Sequence, residues 1–305
     1  MGVSWGAVIV IILGLALGGA FVALWVVANQ GPIHFTDYEA QKKYENLVGG
    51  QFYSNMRYES STISYSFASA CSQTKKEDAR SAFAFLDEET ILSFNEKAEG
   101  EIQITCGAVS PPSGSERTFV AGEGGPYLVI NASAFNIIKT GKISLYREEK
   151  CDNPNIAIHE ILHALGFDHT GNISSIMYPI SECDQTLDEE IIKEINKIYS
   201  VPSLPDLVLS SLSVNSSNSY INFEVKVSNE GITDAGSATL ELRDKAKDKV
   251  IKSFDLGNVQ VGSRKVLGVT NVWAFPSPKE VEFRIVYSGQ ELSKDNNVAV
   301  VGVSG

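Results

Sequence analysis

Residues 159–169 read His-Glu-Ile-Leu-His-Ala-Leu-Gly-Phe-Asp-His. The spacing H-E-x-x-H-x-x-G-x-x-H gathers three imidazoles and one carboxylate where they can act on a single metal ion. The chain holds only four histidines in 305 residues, so a chance match to this pattern has odds of roughly one in 10⁵ or lower. On a helix, His159 and His163 point from one face about 6 Å apart along the axis, which suits two ligands closing on zinc at about 2.0–2.1 Å. Glu160 lies beside the first ligand on a neighbouring face, placed to reach a water at the metal without binding the metal itself. His169 cannot join on a continuous helix, because it would lie about 9 Å further along. Gly166 is the expected hinge, since a residue without Cβ takes φ > 0 at a helix end at little cost. Three protein ligands leave a fourth position open, the arrangement of a catalytic zinc. Two plainer readings remain: a core helix built on Ile161, Leu162, Ala164 and Leu165, and a zinc site that no longer turns over. His34 is the only other histidine.

Shortly afterwards comes Ser175-Ile176-Met177-Tyr178-Pro179, with the methionine eight residues beyond His169. The motif followed by a methionine at this distance resembles the metzincin metallopeptidases. Within them, Leu-Gly-Phe-Asp-His-Thr with Ile-Met-Tyr-Pro resembles the matrixins. That resemblance implies one catalytic Zn2+ on His159, His163 and His169, with Glu160 as general base and Met177 as an apolar floor beneath the metal. It implies protein or peptide substrates, extended against an edge strand upstream of the helix. Gly124–Val129 is the candidate edge, with Gly124, Gly125 and Tyr127 as its candidate residues. Tyr178 directly follows the methionine and is not counted as a ligand. Three features depart from the family pattern: no Pro-Arg-Cys-Gly segment is found, residues 107–150 contain no histidine for a second zinc, and Pro179-Ile180-Ser181 replaces Pro-x-Tyr.

These residues must be positioned by an α+β domain, a mixed sheet with three helices, over about residues 55–200. Alternation predicts strands at 62–67, 91–94, 101–105, 126–131 and 141–146. Ala79, Ala82, Phe83 and Leu86 have helical spacing within 75–89. A last helix is expected over 187–199, with Thr186 and Glu189 forming a capping box and Pro202 barring continuation.

Residues 3–27 carry no charge and are almost wholly apolar. As a helix they would extend about 37 Å, enough to cross a hydrocarbon core of about 30 Å, with Trp5 and Trp25 near the two interfaces. The expectation is a transmembrane signal anchor over 3–28 and a stalk or short pro-segment over 29–54. A cleaved signal peptide ending near Ala28 is the alternative. Four cysteines (Cys71, Cys106, Cys151, Cys183) fit no metal-ligand spacing, and an even count behind a membrane-targeting segment argues for two disulfides in an oxidising, extracytoplasmic space. Of three connectivities, Cys71–Cys106 with Cys151–Cys183 is preferred, and four free thiols remain the alternative. A net charge of −12 without a basic stripe argues against nucleic acid as a partner.

After Ser200 the composition changes. Val201-Pro-Ser-Leu-Pro205 reads as a stiff linker, and about seven alternating runs follow between 207 and 303, the pattern of an all-β, immunoglobulin-like sandwich over 206–305. Pro205-Asp206-Leu207-Val208, Val227–Gly231 and Asn296-Asn297 resemble the CARDB adhesion-type modules of prokaryotic surface proteins. The resemblance implies a spacer, or a module that docks on substrate or the cell surface. Two functions are therefore carried forward: a membrane-anchored extracellular zinc endopeptidase, and a surface adhesion protein whose zinc domain is inactive.

Overall fold

The computed structural model describes residues 50–107 and 120–303, together with the backbone of three short strands, β1 (Val8–Leu13), β2 (Val22–Val27) and β3 (Ile33–His34). The chain divides into two compact units. The first to be described holds β3, β4 (Met56–Tyr58), β5 (Thr62–Phe67), α1 (Gln73–Glu89), β6 (Ser93–Glu96), β7 (Ile102–Cys106), β8 (Gly122–Asn131), β9 (Asn136–Leu145), α2 (Asn155–Ala164) and α3 (Glu189–Tyr199). Its sheet runs β3-β8-β9-β7-β5-β6, with β4 also on β9. The β6, β5, β7 and β9 pairings are parallel, and parallel neighbours need crossovers, which α1 supplies between β5 and β6. Isoleucines and aromatics of these strands face the apolar stripe of α1 (Ala79, Ala82, Phe83, Leu86) and α2 in one core. Each fully buried side chain of this kind contributes about 1.5–3 kcal/mol.

Two buried cations close this unit. Lys75 donates to the carbonyls of Gly107, Leu145 and Tyr146, each at 3.1 Å, so one ammonium ties α1 to the ends of β7 and β9. Arg57, 1% exposed, donates to the carbonyls of Ile198 (2.8 Å) and Val201 (2.9 Å) and lies over the Tyr199 ring. A guanidinium at the C-terminus of α3 meets the negative end of the helix dipole.

The expected capping box does not form. Asp188 is the N-cap of α3, and Thr186 is instead bridged to Ser175, because its backbone is drawn into pairing with the segment that carries Met177. The Asp188 carboxylate accepts from Ser175 Oγ and Asn172 Nδ2. The expected strands at 126–131 and 141–146 overlap longer ones that begin at Gly122 and Asn136, the second ending at Leu145. Three glycines and Glu123 in the first extension, and Asn136, Lys139 and Thr140 in the second, interrupt the apolar alternation, and there backbone pairing outweighs side-chain pattern.

In the second unit, all seven alternating runs are strands: β10 (Leu207–Ser217), β11 (Tyr220–Asn229), β12 (Ala235–Asp244), β13 (Lys249–Val259), β14 (Arg264–Trp273), β15 (Glu280–Tyr287) and β16 (Val298–Gly302). They form two antiparallel sheets, β14-β11-β10 and β13-β12-β15-β16. Phe223 on one sheet packs edge-on against Phe254 and Phe283 on the other, inside a shared apolar core.

The expected spanning helix over 3–28 is not what the described residues show. Val8–Leu13 and Val22–Val27 are extended, paired with each other, and β2 is paired with β14; the rest of that span and most of 29–54 lie outside the described residues. Both pieces are rich in β-branched valine and isoleucine, which suit a strand wherever a sheet edge such as β14 is open. No helix among the described residues is long and apolar enough to cross a membrane.

Candidate metal centre

Helix α2 carries the first two histidines and ends in a defined stop. Gly166 has φ +98°, its N–H donates to His163 O (2.9 Å), and the Phe167 N–H donates to Leu162 O (3.0 Å). These two bonds are the Schellman pair, and they turn the chain back as the glycine requires. A Cβ on Gly166 would lie 2.9 Å from Met56 Cβ, so space as well as torsion selects glycine. Tyr58, fully buried on β4, donates its hydroxyl to Ala164 O at 3.1 Å and holds the end of the helix.

The turn delivers His169 to the other two rings. The three Nε2 atoms lie 3.0 Å (His159–His163), 3.1 Å (His159–His169) and 3.1 Å (His163–His169) apart. Tetrahedral ligands about 2.0–2.1 Å from zinc stand about 3.3 Å from one another, so the triangle fits that ion with small relaxation. Two outer nitrogens are fixed by main-chain carbonyls: His159 Nδ1 donates to Ile176 O (2.6 Å) and His163 Nδ1 to Phe167 O (2.7 Å). Each such bond sets the tautomer that presents a bare Nε2 lone pair to the centre. Burial pushes the His159 imidazole below its ordinary value, against the pull of the Ile176 carbonyl. Burial, then the neighbouring His159 and His169 rings, push His163 well below its own. Both rings are therefore neutral at pH 7, as ligation requires.

Met177 is fully buried in the turn that also supplies the Ile176 carbonyl. Its carbonyl accepts from the Thr170 N–H at 3.0 Å, next to the third histidine. Two disulfides are present, Cys71–Cys106 and Cys151–Cys183. The second joins the entry of α2 to the loop after Met177, where Asn155 Nδ2 also donates to Glu182 O at 2.9 Å.

Glu160 is 5% exposed and lies against β8. A Cβ on Gly122 would stand 2.7 Å from both Cγ and Oε1 of Glu160, and one on Gly124 would stand 2.2 Å from the Glu160 carbonyl oxygen. The bare backbone of these two glycines is what lets the strand approach the helix so closely. Of the candidate edge residues, Gly124 thus packs on the helix, Gly125 faces open space, and Tyr127 turns its ring to the Lys142 ammonium on β9 (3.2 Å). The expected edge is covered at its far end, where β3 pairs with Leu128 and Val129.

Sequence reasoning passed over Gly122, the Ile176 and Phe167 carbonyls, and Tyr58. Only Gly122 left a trace, as the first glycine of Gly122-Glu-Gly-Gly125; a carbonyl partner leaves none.

No curated protein matches the chain. Among solved structures, similar chains include a CARDB domain from Pyrococcus furiosus in complex with di-metal ions (22% identity, 33% of this chain and 90% of that one, TM-score 0.27). Another is a cell-surface protein domain from Methanosarcina acetivorans (17% identity, 33% of this chain and 93% of that one, TM-score 0.29). Residues 56–200, which hold the three histidines, Glu160 and Met177, match the peptidase family model described as Matrixin.

Proposed function

We propose that the matrixin segment is a zinc-dependent endopeptidase that cleaves proteins or peptides. The observation that carries this reading is the triangle of Nε2 atoms, 3.0–3.1 Å on each side, beside a buried carboxylate. A zinc ion held by His159, His163 and His169 supplies Lewis acidity, lowering the pKa of water to about 7 and polarising a carbonyl. Glu160 takes the proton of the attacking water and returns it to the departing amine. Its position is fixed by the helix on one side and the bare β8 backbone on the other, so the proton acceptor is pre-placed. The outer carbonyls of Ile176 and Phe167 keep two of the three rings from turning. An extended substrate lies along the part of β8 that β3 leaves uncovered, Gly122–Tyr127, and takes main-chain hydrogen bonds there.

The domain works outside the cytoplasm in this reading. Two disulfides support that placement, since such bonds persist in oxidising compartments. The apolar N-terminal run serves as a membrane anchor, in which case it leaves the sandwich edge and crosses as a helix; membrane fractionation of the full chain, with and without alkaline extraction, tests this. The sandwich then acts as a spacer or docking module on the same surface.

Glu160→Gln in the full chain is the deciding variant. It is expected to bind zinc as the native chain does and to lose peptide cleavage by roughly 10²–10⁴-fold. Cleavage retained in that variant removes Glu160 as the base. A native chain that binds zinc but cleaves no casein or quenched peptide favours the adhesion reading instead.

A further inference from the structure

The matrixin match begins at residue 56, yet the structure draws a strap from upstream of it across the metal centre. Gln51 bridges Phe167 in antiparallel fashion. The Phe52 N–H donates to Gly166 O (2.9 Å), and the Asp168 N–H donates to Gly50 O (2.8 Å). The strap is locked to β4 by Gln51, whose amide donates to Met56 O (2.7 Å) while its oxygen accepts from the Met56 N–H (2.9 Å). The Phe52 ring lies nearly parallel to the His163 imidazole, 21° between planes and 5.8 Å between centroids.

We infer that Gln51 and Phe52 are positioning residues for the metal centre, and that the working peptidase domain begins at or before Gly50. The inference rests on the zinc reading above. Each strap contact acts on a group that sets a ligand. Phe167, opposite Gln51, owns the carbonyl that orients His163. Asp168, tied to Gly50, accepts the His169 N–H on its carboxylate at 2.8 Å. Gly166 and Asp168 bound the reverse turn that carries His169 back to the other rings, and the strap binds both its sides. Phe52 adds a flat apolar wall that limits rotation of the His163 ring. Cutting the chain between Gly50 and Met56 would therefore loosen two of the three ligands, although no family residue is lost.

The test compares zinc affinity, by titration against a competing chelator, in full chains carrying Phe52→Ala, Phe52→Tyr and Phe94→Ala. Phe94 is another half-buried aromatic, set against Phe83 away from the histidines. The alanine at 52 is expected to weaken zinc about tenfold, the range seen when an outer partner of a ligand is removed. Tyrosine at 52 restores native affinity, and the alanine at 94 lowers thermal stability without changing zinc affinity. Native affinity in Phe52→Ala, or equal weakening in Phe94→Ala, overturns the inference. If Phe52→Ala does not fold, Phe52→Leu keeps the apolar contact without the flat face and is judged by the same criterion. A native chain that binds no zinc sinks the function proposal instead, so the two failures are separate.

Discussion

Gly122→Ala perturbs the contact between β8 and the carboxylate of the proposed base. The new methyl would stand 2.7 Å from Cγ and Oε1 of Glu160, where ordinary contact begins near 3.4 Å. The carboxylate must therefore retreat by about 0.7 Å, and a misplacement of about 1 Å costs about 10²-fold in rate. Turnover of a quenched peptide is expected to fall roughly 10–100-fold. Zinc affinity should stay native, because the ligands and their carbonyl partners belong to other segments. Gly124→Ala is the contrasting case. Its methyl would meet the Glu160 carbonyl oxygen at 2.2 Å, and that residue's C and Cα at 2.9 Å. A helix backbone cannot swing aside as a side chain can, so strand and helix must part, and stability and zinc affinity should both fall. Paired kcat and chelator-competition measurements separate the two. Native kcat in Gly122→Ala would refute the claim that β8 positions Glu160, and loss of zinc in that variant would refute the claim that the base and ligands are held independently.

Gly166→Ala forces a side chain into φ +98° against Met56 and should cost about 1–3 kcal/mol in denaturant unfolding while weakening zinc; unchanged stability would show that the turn relaxes freely. Replacing Cys151 and Cys183 together by serine opens a loop of 32 residues, a loss of roughly 3–4 kcal/mol by chain entropy, or about 10 °C in the melting temperature of a domain this size. A native melting curve for that variant would deny the bridge a role in stability. Burial raises the Tyr58 phenol well above its ordinary value, helped by Tyr199 and Glu101, and burial likewise raises Tyr199 against the bond to the Tyr58 backbone and the nearby Arg57 charge. Above about pH 10 the unfolded chain loses these protons while the folded one keeps them, so stability falls with rising pH by about 1.4 kcal/mol per unit for each tyrosine. Alkaline titration of tyrosinate absorbance should show both phenols ionising only with unfolding; ionisation in the folded domain would contradict their burial.

The histidine cluster was legible because it depends on side-chain identity at helical spacing, which the chain writes out directly. His159, His163 and Gly166 specify where two of the three rings stand and where the helix must stop. The seven sandwich strands were legible for a related reason, since each buries one face and alternates accordingly. Ile176 and Phe167 were not legible as partners, because they act through carbonyls that every residue possesses. Arg57 and Lys75 read as ordinary surface charges until folding brings carbonyl groups around them. Thr186 and Glu189 have capping-box spacing, but pairing with Ser175 claims the threonine backbone first. The N-terminal run is ambiguous for a different reason. Length and apolarity fit a spanning helix, yet valine-rich pieces of six residues fit a strand equally well, and what lies beside the segment decides between them.

The unreadable part of the centre is thus mainly backbone. Two ring N–H groups end on carbonyls, the proposed base lies against two glycines, and the third histidine hangs on a turn bounded by main-chain bonds from Gly50 and Phe52. Such contacts hold as long as the chain follows the same path, whatever the side chains at Ile176 or Phe167. The short motif can therefore be complete while the site depends on residues at 50–52 and 122–124, more than thirty positions from the nearest histidine of the motif. A substitution at these places alters the path rather than the chemistry. Its effect should appear in how firmly the rings are held or where the carboxylate stands, with the donor set unchanged.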